Sequence, residues 1–444
     1  MMPRWSVYLI YNLLMPLVLL VSLPGYLVRM LRRGNYRHHF FQRFGLYKTW
    51  VREALARADR PVWIHAVSVG EVLIALKLIK ELRRQQPGLD VVLSTTTSTG
   101  FTLANQHAKN TGEGAPLVVI YNPVDFFLNV RRVMRRIGPS ALVLIEAEVW
   151  PNLVARAKRD GVPISLVNAR LSDRSERRFK KVAALVRPVF SLLDHALVQD
   201  ERDVERIASL GVRPECIECV GSVKFDPQGM EAPTGQINEF RDLLDKAFAG
   251  RLSQRKVFLA GSTHDGEEAL LGEVYQGLRE DYPDLFYIVV PRHFERAPAV
   301  VKELEQLGLH PLLRSDLAGS EVSEQVDCLI VNSTGELKAW YFLADVVAIG
   351  KSFLSTGGQN PVEAVLAGKP VLFGPHMENF RALVELLESA GATRQVSEAG
   401  ELRSAILEVL EKPELAETMA VRGKAVLAQH EGATRRTAAI LLKK

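Results

Sequence analysis

The run Trp63-Ile-His-Ala-Val-Ser-Val-Gly-Glu71 places a carboxylate where a Ser-x-Gly turn ends an apolar strand and a helix begins. A helix N-terminus stabilises an anion. A carboxylate beyond a strand's carboxyl end can also accept a proton from a hydroxyl nucleophile. Acidic residues cap first turns as well, so spacing alone leaves Glu71 between general base and cap. Ile145-Glu-Ala-Glu-Val-Trp-Pro-Asn152 sets Glu146 and Glu148 behind the apolar strand Ala141–Leu144. Alternate residues of a strand share a side, and two such carboxylates repel unless a cation, a polar ligand or water lies nearby. Magnesium binding fits, and so does a polar strand end. Lys224, in Gly221-Ser-Val-Lys-Phe-Asp226, can meet a phosphate as a point charge or stay solvated. Ser94-Thr-Thr-Thr-Ser-Thr-Gly100 offers hydroxyls and amides to a phosphate or sugar acid. It lacks the lysine of a P-loop, which argues against a nucleoside triphosphatase.

Four polar motifs follow in the second half: Gly261-Ser-Thr-His-Asp-Gly-Glu267, Pro291-Arg-His-Phe-Glu-Arg296, Asn332-Ser-Thr-Gly-Glu-Leu337 and Gly357-Gly-Gln-Asn-Pro-Val-Glu-Ala364. The last is a glycine turn opening a helix, with Pro361 in its first turn. Its amides suit a phosphate, Glu363 could take ribose hydroxyls, and Arg292 could clamp a phosphate with its fork. Each alone reads equally well as a turn or cap. Together, at successive strand ends, they outline a nucleotide pocket.

The elements that would position these residues alternate. Short β-rich runs lie at Val62–Val67, Val91–Thr95, Leu117–Ile120, Ala141–Ile145, Ile164–Asn168 and Ala196–Gln199. Helical patterns such as Val72–Arg84 lie between them. Asp226-Pro-Gln-Gly-Met-Glu-Ala-Pro-Thr-Gly reads as a linker. The alternation then restarts at Lys256–Ala260, Phe286–Val290, Cys328–Val331, Asp345–Ile349 and Pro370–Phe373. The fold class is α/β, with parallel sheets covered on both faces. A chain of 444 residues accommodates two Rossmann-like domains facing a cleft. The boundaries read as 34–225 and 226–444.

Residues 1–33 read as a membrane anchor. Trp5 to Met30 is mostly apolar and long enough to span a bilayer as a helix, although Pro16 and Pro24 would kink or end it. Trp5, Tyr8, Tyr11 and Tyr26 suit the interface. Arg29, Arg32, Arg33, Arg37, His38, His39 and Arg43 follow, which by the positive-inside rule leaves the remainder in the cytoplasm. No small-residue cleavage site marks a removable signal peptide. The net charge of +5 suits acidic partners without naming one, and no basic stripe with interleaved aromatics points to nucleic acid. Cys216, Cys219 and Cys328 are too few for a zinc site with two cysteine pairs. They read as small buried side chains and suit a reducing compartment.

In order and spacing, His65-Ala-Val-Ser-Val-Gly-Glu71, Glu146-Ala-Glu-Val-Trp-Pro-Asn152, Asn168-Ala-Arg-Leu-Ser172, Gly221-Ser-Val-Lys-Phe-Asp226, Pro291-Arg-His293, Gly335-Glu-Leu337 and Asn360-Pro-Val-Glu363 resemble the Kdo (3-deoxy-D-manno-octulosonate) transferases of lipopolysaccharide assembly. The resemblance covers nearly the whole chain. It implies a GT-B-type fold and transfer of Kdo from CMP-β-Kdo to lipid A precursor (lipid IVA), with inversion, at the cytoplasmic face of the bacterial inner membrane. It implies Glu71 as general base, with Glu146 and Lys224 stabilising transition-state charge. Pro291, Arg292, Thr334, Gly335, Glu336, Asn360, Pro361, Val362 and Glu363 would form the CMP pocket. No cofactor or metal is expected.

The chain departs from the family pattern at Gln359, where the glycine loop has His, at Asn332, where many members have Asp, and at Lys351, where many have Gly. Gln359 can hydrogen-bond but cannot carry a proton. Two other readings are a GT-B transferase using a UDP-sugar and a non-catalytic, nucleotide-responsive membrane adaptor; intact Glu71 and Lys224 argue against the latter.

Overall fold

The computed structural model describes residues 3–33, 39–110, 117–171, 173–228, 232–250, 255–318 and 325–443. Parts of the expected basic cluster (Arg37 and His38), of the linker (Met230 and Glu231) and of one motif (Ser172) lie outside the described residues, as do the side chains of Tyr26, Arg29, Arg32 and Arg33. The chain forms two compact units, Met1–Asp226 with Gly432–Lys444, and Pro227–Glu431.

The first unit contains β1 (Val62–Ala66), β2 (Val91–Thr95), β3 (Leu117–Tyr121), β4 (Ala141–Ile145), β5 (Ile164–Ala169), β6 (His195–Val198) and β7 (Ile217–Cys219). They form one parallel sheet in the order β3-β2-β1-β4-β5-β6-β7. Alternate residues feed two apolar layers. Trp63, Val92, Leu142 and Leu144 enter one, and Ile64, Leu93, Val143 and Ile145 the other. Both faces are therefore covered, as parallel sheets require. The strand order reverses beside β1, so the carboxyl ends of β1 and β4 flank the crevice where doubly wound sheets bind ligands.

The second unit contains β8 (Val257–Thr263), β9 (Phe286–Pro291), β10 (Pro311–Leu313), β11 (Cys328–Ile330), β12 (Val346–Ile349), β13 (Val371–Phe373) and β14 (Thr393–Gln395). Their parallel order is β10-β11-β9-β8-β12-β13-β14. Here the reversal falls between β8 and β12.

The structure corrects the domain division at its end. The helix Ala433–Leu442 packs against the helix Val69–Gln85 of the first unit, adding Ala438, Ile440, Leu441 and Leu442 to that core layer. Buried Asp226 fixes the return: its Oδ1 accepts from Gly432 N at 3.0 Å and its Oδ2 from Thr434 N at 2.7 Å.

The expected anchor is a helix, Arg4–Arg33, but its first turns are built into the first unit. Val7 is buried in the core. Tyr11 Oη donates to Asp125 Oδ2 at 3.0 Å, and Asn12 and Asn152 exchange amide bonds of 3.0 and 2.9 Å. Tyr11 is thus a docking residue rather than an interfacial anchor. Leu9, Leu13, Leu14, Leu17, Val18 and Val21 of the same helix are exposed. Among the described residues, no helix is long and apolar enough to cross a membrane. His39 and Arg43 also join the first unit, His39 against Phe101 and Arg43 over Tyr121. Cys216 and Cys328 are buried, but Cys219 is exposed at the end of the edge strand β7, so the buried reading fails for it.

Candidate functional site

In the first unit the candidates gather at the switch point. Ser68 and Glu71 form a capping box at the start of the helix Val69–Gln85. Glu71 Oε2 accepts from Val67 N at 2.8 Å and Oε1 from Ser68 N at 3.1 Å, while Glu71 N donates to Ser68 Oγ at 3.3 Å. The capping reading therefore holds, and Glu71 is 6% exposed. It does not exhaust the residue, because a carboxylate has about four acceptor positions and the box uses two.

The second strand end brings Glu146 and Glu148 to the same place. β4 stops at Ile145, and Glu146 takes a left-handed backbone with φ 61°. The expected strand-like alternation of the two carboxylates is thus replaced by a turn. That backbone costs a non-glycine residue about 1–2 kcal/mol, and the bond from Glu146 N to Val167 O, 2.9 Å, holds it. Burial raises the pKa of Glu146 above the usual carboxylate range, with Glu71 adding and Lys224 and Arg170 opposing. Burial, then the charges of Glu71 and Glu146, pushes Glu148 up to about 7. Burial lowers Lys224, and attraction to Glu146 only partly offsets it. Three carboxylates and two cations thus share one electrostatic neighbourhood.

Sequence reading missed Arg170 and gave Asn168 no role. Asn168 sits at the end of β5 with φ 56°. Its Oδ1 accepts from Val223 N at 3.0 Å and from Ser222 Oγ at 3.3 Å, which fixes the turn carrying Lys224. Among the described residues, Asn168 Nδ2, Thr96 Oγ1 and Trp150 Nε1 are buried without a hydrogen-bond partner. Polar atoms of that kind cost free energy unless a ligand or solvent meets them. The motif order Asn-x-Arg was the available signal for both residues. His65, by contrast, belongs to the framework: it is fully buried, its Nδ1 lies 3.0 Å from Ser94 Oγ, and burial takes its pKa down to about 4. Among the described residues, no group of three or more His, Cys, Asp or Glu side chains is arranged to hold a metal ion.

In the second unit, Glu267 organises the switch point. Its Oε2 accepts from Lys351 N at 2.5 Å and His264 N at 3.0 Å, and its Oε1 from Phe353 N at 3.0 Å and Leu354 N at 3.5 Å. Gly350 lets this loop approach, since a Cβ there would lie 2.4 Å from Ser262 O. Arg292 N donates to Thr263 O at 2.9 Å, leaving an exposed side chain after β9. His264 and His293 meet with ring centroids 5.9 Å apart. Lys351, the departure from the family pattern, adds its charge beside His264.

The remaining expected pocket residues divide. Thr334, Gly335 and Asn360 are exposed, and Asn360 Oδ1 accepts from Val362 N at 3.1 Å. Pro291, Pro361 and Val362 are buried; Val362, fully buried, can offer a ligand only backbone. The Glu336 carboxylate is engaged internally, 3.3 Å from both Arg314 Nε and Trp340 Nε1. Glu363 is half-buried and raised by that burial, with Lys338 opposing.

The sequence and the fold match known proteins. The model of the 3-deoxy-D-manno-octulosonic-acid transferase (kdotransferase) family matches residues 38–227. The 3-deoxy-D-manno-octulosonic acid transferase of Bordetella pertussis is 35% identical over 381 residues, 85% of this chain and 86% of the relative. That of Haemophilus influenzae is 30% identical over 403 residues, 90% of each. Among solved structures, the UDP-GlcNAc 2-epimerase of Neisseria meningitidis has a TM-score of 0.55 at 16% identity, covering 86% of this chain and 100% of that one. At that identity the likeness concerns the fold alone, two parallel-sheet domains of GT-B type.

Proposed function

Since this chain belongs to the 3-deoxy-D-manno-octulosonic-acid transferase family, we propose that it transfers Kdo from CMP-β-Kdo to a hydroxyl of lipid IVA, with inversion at the anomeric carbon. The observation that carries this reading is the convergence of Glu71, Glu146 and Glu148 with Lys224 and Arg170 at the switch point of the first sheet. Glu71 is held in place by its capping box and keeps acceptor positions for the proton of the attacking hydroxyl. Glu146 stabilises positive charge developing on the sugar in an oxocarbenium-like transition state. Lys224 stabilises the charge released on the departing phosphate. In the second unit, Arg292, the exposed Thr334 and Gly335, and the Asn360–Glu363 turn take the CMP moiety.

With fixed cations in these roles, transfer needs no divalent ion. The exposed leucines and valines of the Arg4–Arg33 helix support attachment along the surface of the inner membrane, on its cytoplasmic side. The test is to incubate the full chain with CMP-Kdo, lipid IVA and a chelator and read product masses. A Kdo increment on lipid IVA is expected. Activity that needs magnesium would make Glu146 and Glu148 metal ligands, and transfer from a UDP-sugar instead would replace the donor.

A further inference from the structure

One groove of the first unit has no part in these assignments. Its aromatic wall is His39, Trp50, Phe101 and Tyr121, and its volume is about 460 Å³, within the ~300–1,000 Å³ usual for small-molecule sites. Phe101 stacks on Tyr121 with centroids 4.2 Å apart, His39 lies 5.4 Å from Phe101, and His39 meets Trp50 edge-on at 6.3 Å. Arg43 covers Tyr121 at 4.4 Å. These contacts bury Phe101 and Tyr121 and leave Trp50 51% exposed.

The helix Ser98–Asn110, which also carries Phe101, lines the groove with Ser98, Thr102, Asn105, Gln106 and Lys109. Their spacing places them on one helix face. Asn105 Nδ2 donates to Phe101 O at 2.8 Å, leaving its Oδ1 to accept from a ligand. Aromatic faces in one groove with hydroxyls and amides match a sugar ring. The C–H groups of a pyranose carry slight positive charge and suit the negative face of an aromatic ring, and its hydroxyls need both donors and acceptors.

The groove starts where the Glu71 cap ends. Thr95 Oγ1 and Thr97 Oγ1 donate to Val67 O at 3.2 and 3.1 Å, and Val67 N donates to Glu71. Ser98, which lines the groove, follows Thr97 directly.

The geometry points to a saccharide subsite: the groove binds a pyranose ring of the acceptor, Trp50 stacking on its face while Thr102 and Gln106 bond its hydroxyls. This rests on the glycosyl-transfer reading above.

The test uses the full chain, its Trp50→Ala and Gln106→Ala variants, lipid IVA, and the deacylated disaccharide bisphosphate derived from lipid IVA. Both substitutions fall on exposed positions. Trp50→Ala is expected to raise the acceptor KM roughly tenfold, the scale of a lost stacking contact, and Gln106→Ala about threefold. The kcat and the donor KM should stay within about twofold. Direct binding of the deacylated disaccharide, measured without donor, should weaken in parallel. Unchanged acceptor KM and unchanged disaccharide binding in both variants would overturn the subsite. So would a Trp50→Ala penalty seen with lipid IVA but absent with the deacylated disaccharide, which would make the groove an acyl pocket. A wild-type chain that binds the disaccharide through Trp50 yet never transfers Kdo would keep the groove and overturn the functional reading instead.

Discussion

Glu71 and Glu267 hold corresponding places. Each lies in the first turn of the helix that follows a switch-point strand of a parallel sheet, β1 in one unit and β8 in the other, and each is buried. Their surroundings differ. Glu267 accepts from four backbone N–H groups, three of them from the Lys351–Leu354 loop, so its acceptor positions are used and its charge is spent on structure. Glu71 accepts from two N–H groups of its own turn and faces the charges of Glu146 and Glu148. The same sequence device, a glutamate at a strand-to-helix turn, is therefore a clamp where amides saturate it and a candidate base where capacity is left over.

The largest effect expected from this contrast is on stability. Glu267→Ala should cost about 3–5 kcal/mol by leaving buried amides unpaired, and it should weaken CMP binding by freeing the Lys351–Leu354 loop. Denaturant titration and a CMP binding isotherm check this. A loss below about 1 kcal/mol would mean that the loop holds without its clamp.

A smaller, kinetic effect is expected at Lys224. Lys224→Ala should slow transfer by about tenfold or more while CMP binding changes little, because charge on the leaving phosphate grows in the transition state. Equal losses in binding and turnover would reduce Lys224 to a ground-state contact.

A third effect is a change in pH dependence. The folded protein holds Glu148 near 7, above the ordinary carboxylate value of 4.5. The folded state therefore retains a proton that the unfolded state releases. That contribution is full below about 4.5 and is lost as pH rises through about 7. Glu148→Gln should raise the Tm relative to wild type above pH 7 and less so at pH 5. An identical pH profile of Tm in the two proteins would show that Glu148 ionises normally.

The α/β alternation was legible because parallel strands buried on both faces leave apolar runs; β2 and β4 span the residues read from sequence. Pro311–Leu313 and Thr393–Gln395 escaped notice because each is a three-residue edge strand, too short for a periodic pattern to show. The return of Ala433–Leu442 was hidden because its apolar spacing suits either unit, and the choice is made by partners distant in sequence, the bonds that Asp226 accepts and the packing on Val69–Gln85. At the site, residue types and spacing offered Glu71, Glu146 and Lys224 as candidates, and their roles came only from the resemblance. The turn at Glu146, the clamping role of Asn168 and the engagement of Glu336 with Arg314 and Trp340 depend on partners distant in sequence. They could not be read from local pattern.

The most direct measurement is the single-turnover rate of Glu71→Gln beside its unfolding free energy. Glutamine can keep one of the two bonds that the Glu71 oxygens accept from Val67 N and Ser68 N but cannot take up a proton in the base's role. The account predicts a rate lower by about a hundredfold or more, with the variant still folded and its stability lowered by about 1–3 kcal/mol, the cost of one buried N–H left without an acceptor. A near-normal rate in the folded variant would contradict it and leave Glu71, like Glu267, a structural residue.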